Sequence, residues 1–266
     1  MSDQQPLNRL KQCRHGQMLF NPLDRYIGRS LDLYGEFSEG EVDLLRQVVQ
    51  PGWVIVEVGA HIGCHSVFLA QQAGPTGTLI VFEPQRILFQ TLCANLALNS
   101  LTNVFAFQRA VGAAPGSIFV PIIDYRREDN FGGVALGSYE HGESVEVVTI
   151  DSMELARCEL IKIDVEGMEL QVLEGARQTI LRLKPIVYIE NDRPEHSTTL
   201  IRLLDSLGYR MYWHAPPIFN PRNFFGNEEN VFGIAFSRNM LCVHRDRTHN
   251  LQGFHSVEVP PEPTLQ

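Results

Sequence analysis

The chain has 266 residues, 44% of them apolar, and a formal net charge of −9 with a pI of about 5.5. This balance excludes a general nucleic-acid binder, because such proteins need clustered Lys and Arg to displace counterions. The five cysteines are odd in number and form no C-x-x-C pair, so neither a disulfide framework nor a zinc site is predicted.

Strands and helices alternate along the first half of the chain. Apolar runs at 53–58, 78–82 and 103–108 are typical of strands buried on both faces of a parallel sheet. Apolar residues at helical spacing predict helices at 62–73 and 85–99. This order predicts right-handed crossovers and a doubly wound sheet.

The segment 112–150 contains many glycines and prolines and interrupts the alternation of strands and helices. It predicts a β excursion with antiparallel strands near 117–123 and 144–150. Alternation then resumes, with strands predicted at 160–165, 185–190, 209–213 and 231–237 and helices at 169–183 and 194–207. The fold class is therefore α/β: a single Rossmann-like domain with a mostly parallel central sheet, an antiparallel last strand and helices on both faces.

Three parts of the chain are expected. Residues 1–45 would form an N-terminal extension, 46–240 the α/β domain and 241–266 a C-terminal tail. No secretory signal and no apolar run long enough to span a bilayer is visible, so a cytoplasmic protein without a membrane partner is expected.

Four acidic residues each end a predicted strand: Glu57, Glu83, Asp164 and Glu190. Ligands of open α/β sheets bind at the carboxyl ends of the strands. A buried carboxylate needs a partner. The four acids therefore predict a polar pocket at one edge of the sheet.

A turn follows the first buried strand and is formed by Gly59, Ala60, His61, Ile62 and Gly63. Glycine permits a close ligand approach, and the next helix offers free N–H groups. The turn is not the dinucleotide G-x-G-x-x-G, because its two glycines are four apart and His61 stands between them. A ligand that carries an amino-acid carboxylate fits better than a pyrophosphate. A tight turn without any ligand is the alternative.

Glu83 ends the second strand, where a carboxylate can accept hydrogen bonds from both hydroxyls of a ribose. It could also cap the helix that begins near Gln85, and the two roles are compatible.

Three motifs resemble one known family. The runs Val56-Glu-Val-Gly-Ala-His-Ile-Gly63, Phe82-Glu-Pro84 and Ile161-Lys-Ile-Asp-Val-Glu-Gly-Met-Glu169 occur at the spacing of the FkbM-type methyltransferases, with Asp151 and Leu173-Glu-Gly-Ala176 around the third. The chain is thus similar, over roughly residues 50–190, to class I methyltransferases that use S-adenosylmethionine (SAM). Glu57 stands where that family more often has aspartate and His61 where asparagine is common, and both keep hydrogen-bonding capacity.

The resemblance implies a role for each matched residue. Glu57 and the turn Gly59, Ala60, His61, Ile62 and Gly63 would hold the methionine part of SAM, and Glu83 its ribose. Pro84, Gln85, Gln108, Arg109 and Ala110 would line the adenine. Asp164 and Glu166 would form the floor between cofactor and acceptor. Residues 129–133 resemble a family loop near the acceptor, and residues 26–39 would form a lid.

Methyl transfer is an in-line displacement that depends mainly on positioning, and a hydroxyl acceptor also needs a base. Asp164 is the preferred base, with Glu190 and His65 as alternatives. Asp164, Glu166 and Glu190 could instead bind Mg²⁺. They lack a recognised ligand spacing, so no metal is predicted.

The expected function is SAM-dependent O-methylation of a hydroxyl on a small-molecule natural product or a sugar, without a nucleic-acid partner. Specificity is expected in 120–142 and 212–230, where periodicity fails. A non-catalytic SAM-binding module is one alternative. A nucleotide-dependent oxidoreductase is another, although the absent G-x-G-x-x-G disfavours it.

Overall fold

The computed structural model describes residues 6–137, 139–247 and 254–261. Its strands are β1 (Arg9–Cys13), β2 (Gly16–Phe20), β3 (Val54–Val58), β4 (Thr78–Phe82), β5 (Val104–Phe107), β6 (Ala110–Val111), β7 (Gly116–Val120), β8 (Glu143–Val148), β9 (Leu160–Ile163), β10 (Ile186–Glu190), β11 (Tyr209–His214), β12 (Asn239–His244) and β13 (His255–Ser256). Its helices are α1 (Ile27–Tyr34), α2 (Glu39–Val48), α3 (Cys64–Ala73), α4 (Arg86–Leu98), α5 (Glu169–Glu174), α6 (Arg177–Leu183) and α7 (Pro194–Ser206).

In the part of the chain that the structure describes, eight strands form one sheet in the order β13-β11-β12-β10-β9-β3-β4-β5. Strands β5, β4, β3, β9 and β10 are parallel, and β12 runs antiparallel to both of its neighbours. The predicted parallel sheet with an antiparallel last strand is therefore confirmed. The strand order reverses between β3 and β9, and such a switch point leaves a crevice at the carboxyl ends of the strands.

Helices cover both faces of this sheet, because alternate residues of each buried strand point to opposite sides. Ile55 and Leu160 pack with α2, α3 and α4 on one face. Val56 and Ile161 pack with α5, α6 and α7 on the other. Among the described residues, no helix is both long and apolar enough to cross a bilayer.

The predicted β excursion is present as a small separate sheet. Strand β8 pairs antiparallel with β7 and parallel with β6. The N-terminal extension contains the hairpin of β1 and β2, which is held on α4 because the Asn95 side chain bonds the backbone of Leu19 in both directions, at 2.7 and 3.0 Å.

The strand predicted at 231–237 is displaced along the chain. It lies at Asn239–His244, because residues 240–243 are buried on both faces and pair with β10 and β11, whereas Ile234 and Phe236 are exposed. It crosses residue 240, where the sequence placed the end of the domain. A further short strand, β13, pairs with β11 and lies within the predicted tail. Residues 1–5 of the predicted extension and 248–253 and 262–266 of the predicted tail lie outside the described residues.

The helix predicted at 169–183 is divided into α5 and α6. The backbone of Gly175 packs against the carbonyl of Gly112 so closely that a Cβ atom would overlap it. Asp151 then caps α6, since its carboxylate accepts hydrogen bonds from the N–H groups of Gln178 and Thr179 at 2.9 and 2.7 Å. The break thus follows from tertiary contacts with the excursion and with Asp151.

Candidate active site

A cavity of about 580 Å³ lies at the carboxyl ends of the central strands, over the switch point. Its wall contains Gly59, His61, Glu83, Gln85, Asp164, Glu166 and Glu190 of the predicted site, with Tyr26, Ile27, Phe37, Glu41, Asn130, Gly132, Asp192, Ile218, Ile234, Ala235, Phe236, Ser237 and Asn239. Among the residues that the structure describes, this wall has six carboxylates and neither lysine nor arginine. A positively charged ligand is therefore favoured.

The turn after β3 places two of its five residues on the cavity wall. Gly59 has φ +84°, and a Cβ atom there would overlap the carbonyl oxygen of Asp164. His61 also has a positive φ, +51°, and both of its ring nitrogens are buried without a hydrogen bond. Ala60 and Ile62 instead pack into the hydrophobic core beneath the turn, so they shape it from below.

Glu83 is held by backbone groups on both oxygens. The N–H groups of His61 and Gln85 each donate to its carboxylate at 2.8 Å. Burial raises the pKa of Glu83 to about 7, against the lowering effect of these two hydrogen bonds. The carboxylate keeps lone pairs that can accept two further donors, as a ribose would supply.

Glu57 lies beneath the cavity rather than on its wall and is 1% exposed. The Ser66 hydroxyl donates to it at 2.5 Å, and the Lys162 Nζ lies 4.0 Å from its other oxygen. Burial raises the pKa of Glu57 to about 7, although Lys162 and Ser66 act in the opposite direction. Glu57 can therefore act on a ligand only through the turn or through its electric field.

Three carboxylates converge where β9 and β10 end. Each of Asp164, Glu166 and Glu190 offers an oxygen within 4.8 Å of the others. Burial and mutual repulsion raise the pKa of Glu166 to about 7 and that of Glu190 well above its ordinary value. Arg193 pairs with Glu166 at 2.7 Å, whereas the Glu190 Oε2 is buried without a hydrogen bond. Such a cluster can take up a proton or coordinate a divalent cation.

A second, smaller cavity shares Gly59 with the first and is lined by Pro84, Arg109 and Ala110, three of the residues predicted near adenine. Gln85 faces the large cavity instead and donates from Nε2 to the Phe131 carbonyl at 2.8 Å. Gln108 lines neither cavity. The structure therefore brings most of the predicted adenine residues to the edge of β4 and β5.

Two segments cover the cavity. Tyr26, Ile27 and Phe37 reach its wall from the N-terminal segment that was predicted as a lid. They face the loop 215–238, where Phe232 stacks on Tyr26 with ring centroids 6.1 Å apart. Of the residues predicted near the acceptor, Asn130 and Gly132 line the same cavity.

His65 lies away from the cavity wall. It is 6% exposed, and its ring centroid lies 6.0 Å from that of Phe37. Burial, together with the positive charge of Lys162, lowers its pKa to about 3. A histidine with so low a pKa is a weak base, and among the three candidate bases only Asp164 and Glu190 line the cavity.

Three residues at or under the site were not predicted to have a role there. Lys162 is a single lysine in an apolar strand and is 2% exposed. Glu41 and Asn239 are 3% and 4% exposed, line the cavity and each have one polar side-chain atom without a hydrogen bond. Of the three, only Lys162 could have been recognised from the sequence, because it is a charged residue within a strand predicted to be buried.

The sheet order, the glycine turn at its switch point and the carboxylate at the end of the neighbouring strand together define a class I SAM-dependent methyltransferase. The family model described as Methyltransferase FkbM domain matches residues 57–211, which is more than half of the chain. The chain belongs to the FkbM methyltransferase family, and SAM is its cofactor.

Two relatives and one solved structure are similar to part of this chain. The methyltransferase sdnD of Sordaria araneosa is 26% identical over 189 residues, covering 58% of this chain and 73% of the relative. Methyltransferase 1 of Beauveria bassiana is 26% identical over 185 residues, covering 61% and 74%. A crystal structure of methyltransferase FkbM from Methylobacillus flagellatus has a TM-score of 0.47 at 18% identity and covers 75% of this chain. The chain spans half the length of that solved protein.

The residues present fit SAM. Gly59 leaves open backbone that a side chain would block, Glu83 has acceptor capacity for a diol, and the acidic wall suits a sulfonium cation.

Proposed function

We propose that the protein transfers the methyl group of SAM to a hydroxyl of a small molecule or a sugar. One observation carries this proposal: Asp164 lies on the wall of the same cavity as Gly59 and Glu83 and is bonded there to Lys162 at 3.1 Å. A candidate base is thereby held beside the candidate cofactor site, as a transfer to a hydroxyl requires.

In this proposal the cofactor supplies an electrophilic methyl group on a sulfonium. Glu83 accepts the ribose hydroxyls, while Pro84, Arg109 and Ala110 border the adenine. The turn at Gly59 binds the methionine part, and Glu57 attracts its ammonium group from beneath. The positions of Gly59, Glu83, Pro84, Arg109 and Ala110 on the walls of the two cavities support these roles.

Asp164 takes the proton from the acceptor hydroxyl as the new O–CH₃ bond forms and the C–S bond breaks. One of its oxygens is held by Lys162, so the other is free to face the acceptor. Glu166 and Glu190 stand within 4.8 Å, and their raised pKa values allow the cluster to retain that proton near neutral pH. Glu190 is the alternative base because its Oε2 has no other partner.

The acceptor would enter between the N-terminal segment and the loop 215–238. Ile218, Ile234 and Phe236 give this part of the wall an apolar character, and Asn239 adds an amide group at the start of β12. Specificity is therefore proposed to reside mainly in residues 218–239, whereas the sequence alone indicated the segments 120–142 and 212–230.

The first experiment is isothermal titration with S-adenosylhomocysteine (SAH). Wild type should bind at micromolar concentration, and Glu83→Ala should weaken binding at least tenfold, about 1.4 kcal/mol. Glu174→Ala is the matched control, because that carboxylate is exposed at the end of α5. A wild type that does not bind SAH would contradict the proposal.

The second experiment tests turnover against a panel of hydroxylated natural products and sugars with radiolabelled SAM. Asp164→Asn should bind SAH at pH 8 but lose at least a hundredfold in kcat for any accepted substrate. If turnover survives this substitution, Asp164 is not the base, and Glu190 becomes the candidate.

A further inference from the structure

A buried lysine lies under the site, and its only role in the reaction described so far is to hold one oxygen of Asp164. Lys162 is the third residue of β9, and its neighbours at the same level of the sheet are Glu57 on β3 and Tyr188 on β10. Leu160 and Tyr188 belong to the core under α2 and α3. Because residues two apart share a face of a strand, Lys162 points to the same side as Leu160 and as Asp164.

Its ammonium group lies between two carboxylates with different roles. Lys162 Nζ donates to Asp164 Oδ2 at 3.1 Å and lies 4.0 Å from Glu57 Oε1. The Lys162 and Glu57 side chains are 2% and 1% exposed. The Asp164 side chain is 36% exposed and lies on the cavity wall. One buried cation thus connects a carboxylate under the turn with a carboxylate on the wall.

The titratable and polar groups around Lys162 and Glu57 come from five elements. Glu57 lies on β3, Asp164 directly follows β9, and Glu41 lies on α2. The others are Cys64, His65 and Ser66 on α3 and Tyr188 on β10. Lys162 is the only ammonium or guanidinium group that these interactions bring to Glu57 within the described residues. Burying a cation at this depth is unfavourable unless it is paired and hydrogen-bonded.

We propose that Lys162 is a positioning residue that keeps Glu57 ionised beneath the cofactor turn and fixes the orientation of Asp164 on the wall. It touches neither cofactor nor acceptor and acts through these two carboxylates. The inference rests on the proposed function, since it assigns Glu57 to the cofactor and Asp164 to the acceptor.

The electrostatics agree with this role. Burial would lower the pKa of Lys162, but Asp164, Glu57 and Glu41 outweigh burial and raise it. Burial raises the pKa of Glu57 to about 7, and Lys162 is the largest influence in the opposite direction. Removing the lysine should therefore raise the pKa of Glu57 further and leave that carboxyl protonated at neutral pH.

The test is the pH dependence of SAH binding, measured by titration between pH 5.5 and 9 in wild type, Lys162→Met and Lys162→Arg. Wild-type affinity should rise with pH around 7, where Glu57 and Glu83 lose their protons. Lys162→Met should raise the pH midpoint of SAH binding by at least one unit. Lys162→Arg keeps a positive charge at this position, so its midpoint should stay close to the wild-type value. A rise from about 7 to about 8 lowers the ionised fraction at pH 7 from about one half to about one tenth, so affinity there falls about fivefold.

The double variant Lys162→Met/Glu57→Gln separates Glu57 from Glu83. Lys162 is not among the groups that act on the pKa of Glu83. In the Glu57→Gln background, Lys162→Met should therefore leave the remaining midpoint in place. A shift of the same size with and without Glu57 would overturn the proposal, as would a single variant whose midpoint stays at the wild-type value.

Asp164→Asn provides a test that does not require removal of the buried lysine. It releases Lys162 toward Glu57 and removes a negative charge that raises the pKa of Glu57. The pH midpoint of SAH binding should fall by at least half a unit, in part because the charge of Asp164 also raises the pKa of Glu83. The [¹³C]carboxyl resonance of Glu57, identified by its loss in Glu57→Gln, isolates the Glu57 contribution and should titrate at a lower pH than in wild type. An unchanged Glu57 titration would refute the role of Lys162, whereas a wild type that fails to bind SAH would refute the proposed function itself.

Discussion

The carbonyl oxygen of Asp164 lies where a Cβ atom on Gly59 would stand. Gly59 also adopts φ +84°, a conformation that side chains rarely accept. The ends of β3 and β9 therefore meet backbone to backbone at the switch point of the sheet. This contact sets the turn and the candidate base in fixed positions relative to each other.

Gly59→Ala should damage both the fold and the site. The positive φ costs about 1–2 kcal/mol for alanine, and displacing the Asp164 backbone adds about 1–3 kcal/mol of overpacking. We expect the free energy of unfolding to fall by about 3 kcal/mol and SAH affinity to fall at least tenfold. Urea denaturation and isothermal titration measure the two effects.

Gly226→Ala is the matched control, because Gly226 has φ +65° but open space around its Cα. Its free energy of unfolding should fall only by the cost of the positive φ, about 1–2 kcal/mol, and its SAH affinity should equal that of wild type. Equal losses in the two variants would show that the contact with Asp164 has no importance of its own.

His65 makes the protein sensitive to acid. The pKa of His65 falls from 6.5 to about 3 on folding, so the unfolded chain binds a proton that the folded chain refuses between these values. The stability that neutral His65 contributes is complete above pH 6.5 and is lost as the pH falls toward 3. His65→Phe should therefore gain about 2–3 kcal/mol relative to wild type when urea denaturation at pH 4.5 is compared with pH 7.5.

His141→Phe serves as the comparison, since His141 is exposed. It supplies the baseline for the loss of an exposed imidazole. If His65→Phe and His141→Phe showed the same pH dependence, the buried imidazole would not be the acid-sensitive group.

Glu36 joins the N-terminal segment to the loop that covers the cavity. It is 4% exposed and accepts hydrogen bonds from Arg14 at 2.6 Å and from Asn220 and the Phe224 N–H at 2.8 Å each. Glu36→Gln removes the charge and turns an N–H₂ group toward these donors. We expect a loss of about 3 kcal/mol, as for a broken buried ion pair. Hydrogen exchange in 215–238 should become faster.

Exchange of the same peptides in Glu228→Gln gives the baseline, because Glu228 is exposed in the same loop. Unaltered exchange in Glu36→Gln would mean that the loop is held by its aromatic contacts, such as that between Tyr26 and Phe232, instead.

Chelation distinguishes the two chemical uses of the acidic cluster. Glu83 and the turn at Gly59 hold the cofactor in the proposed function, so EDTA should leave SAH affinity unchanged. Turnover should also survive, because Lys162 and Arg193 already pair with Asp164 and Glu166. Activity lost to EDTA and restored by Mg²⁺ would instead make Asp164, Glu166 and Glu190 a metal site.

Much of the fold could be predicted because it depends on local pattern. The apolar runs that became β3, β4, β9 and β10 are long enough to be recognised without their neighbours, and each acid at a strand end follows directly from such a run. Strand β12 was misplaced because 231–237 and Asn239–His244 are both apolar, and only pairing with β10 distinguishes them.

The sequence by itself determined the class of fold, the order of the motifs and the acids at the strand ends, since all of these are set by residues close together in the chain. Tertiary structure alone decided which of them meet. It placed Ala60 and Ile62 in the core, Glu57 beneath the cavity and His65 away from its wall. It also brought Glu41, Lys162 and Asn239 to the site from three separate elements. Such contacts depend on sheet register and helix packing between residues that are far apart in the chain, so the local sequence pattern does not predict them.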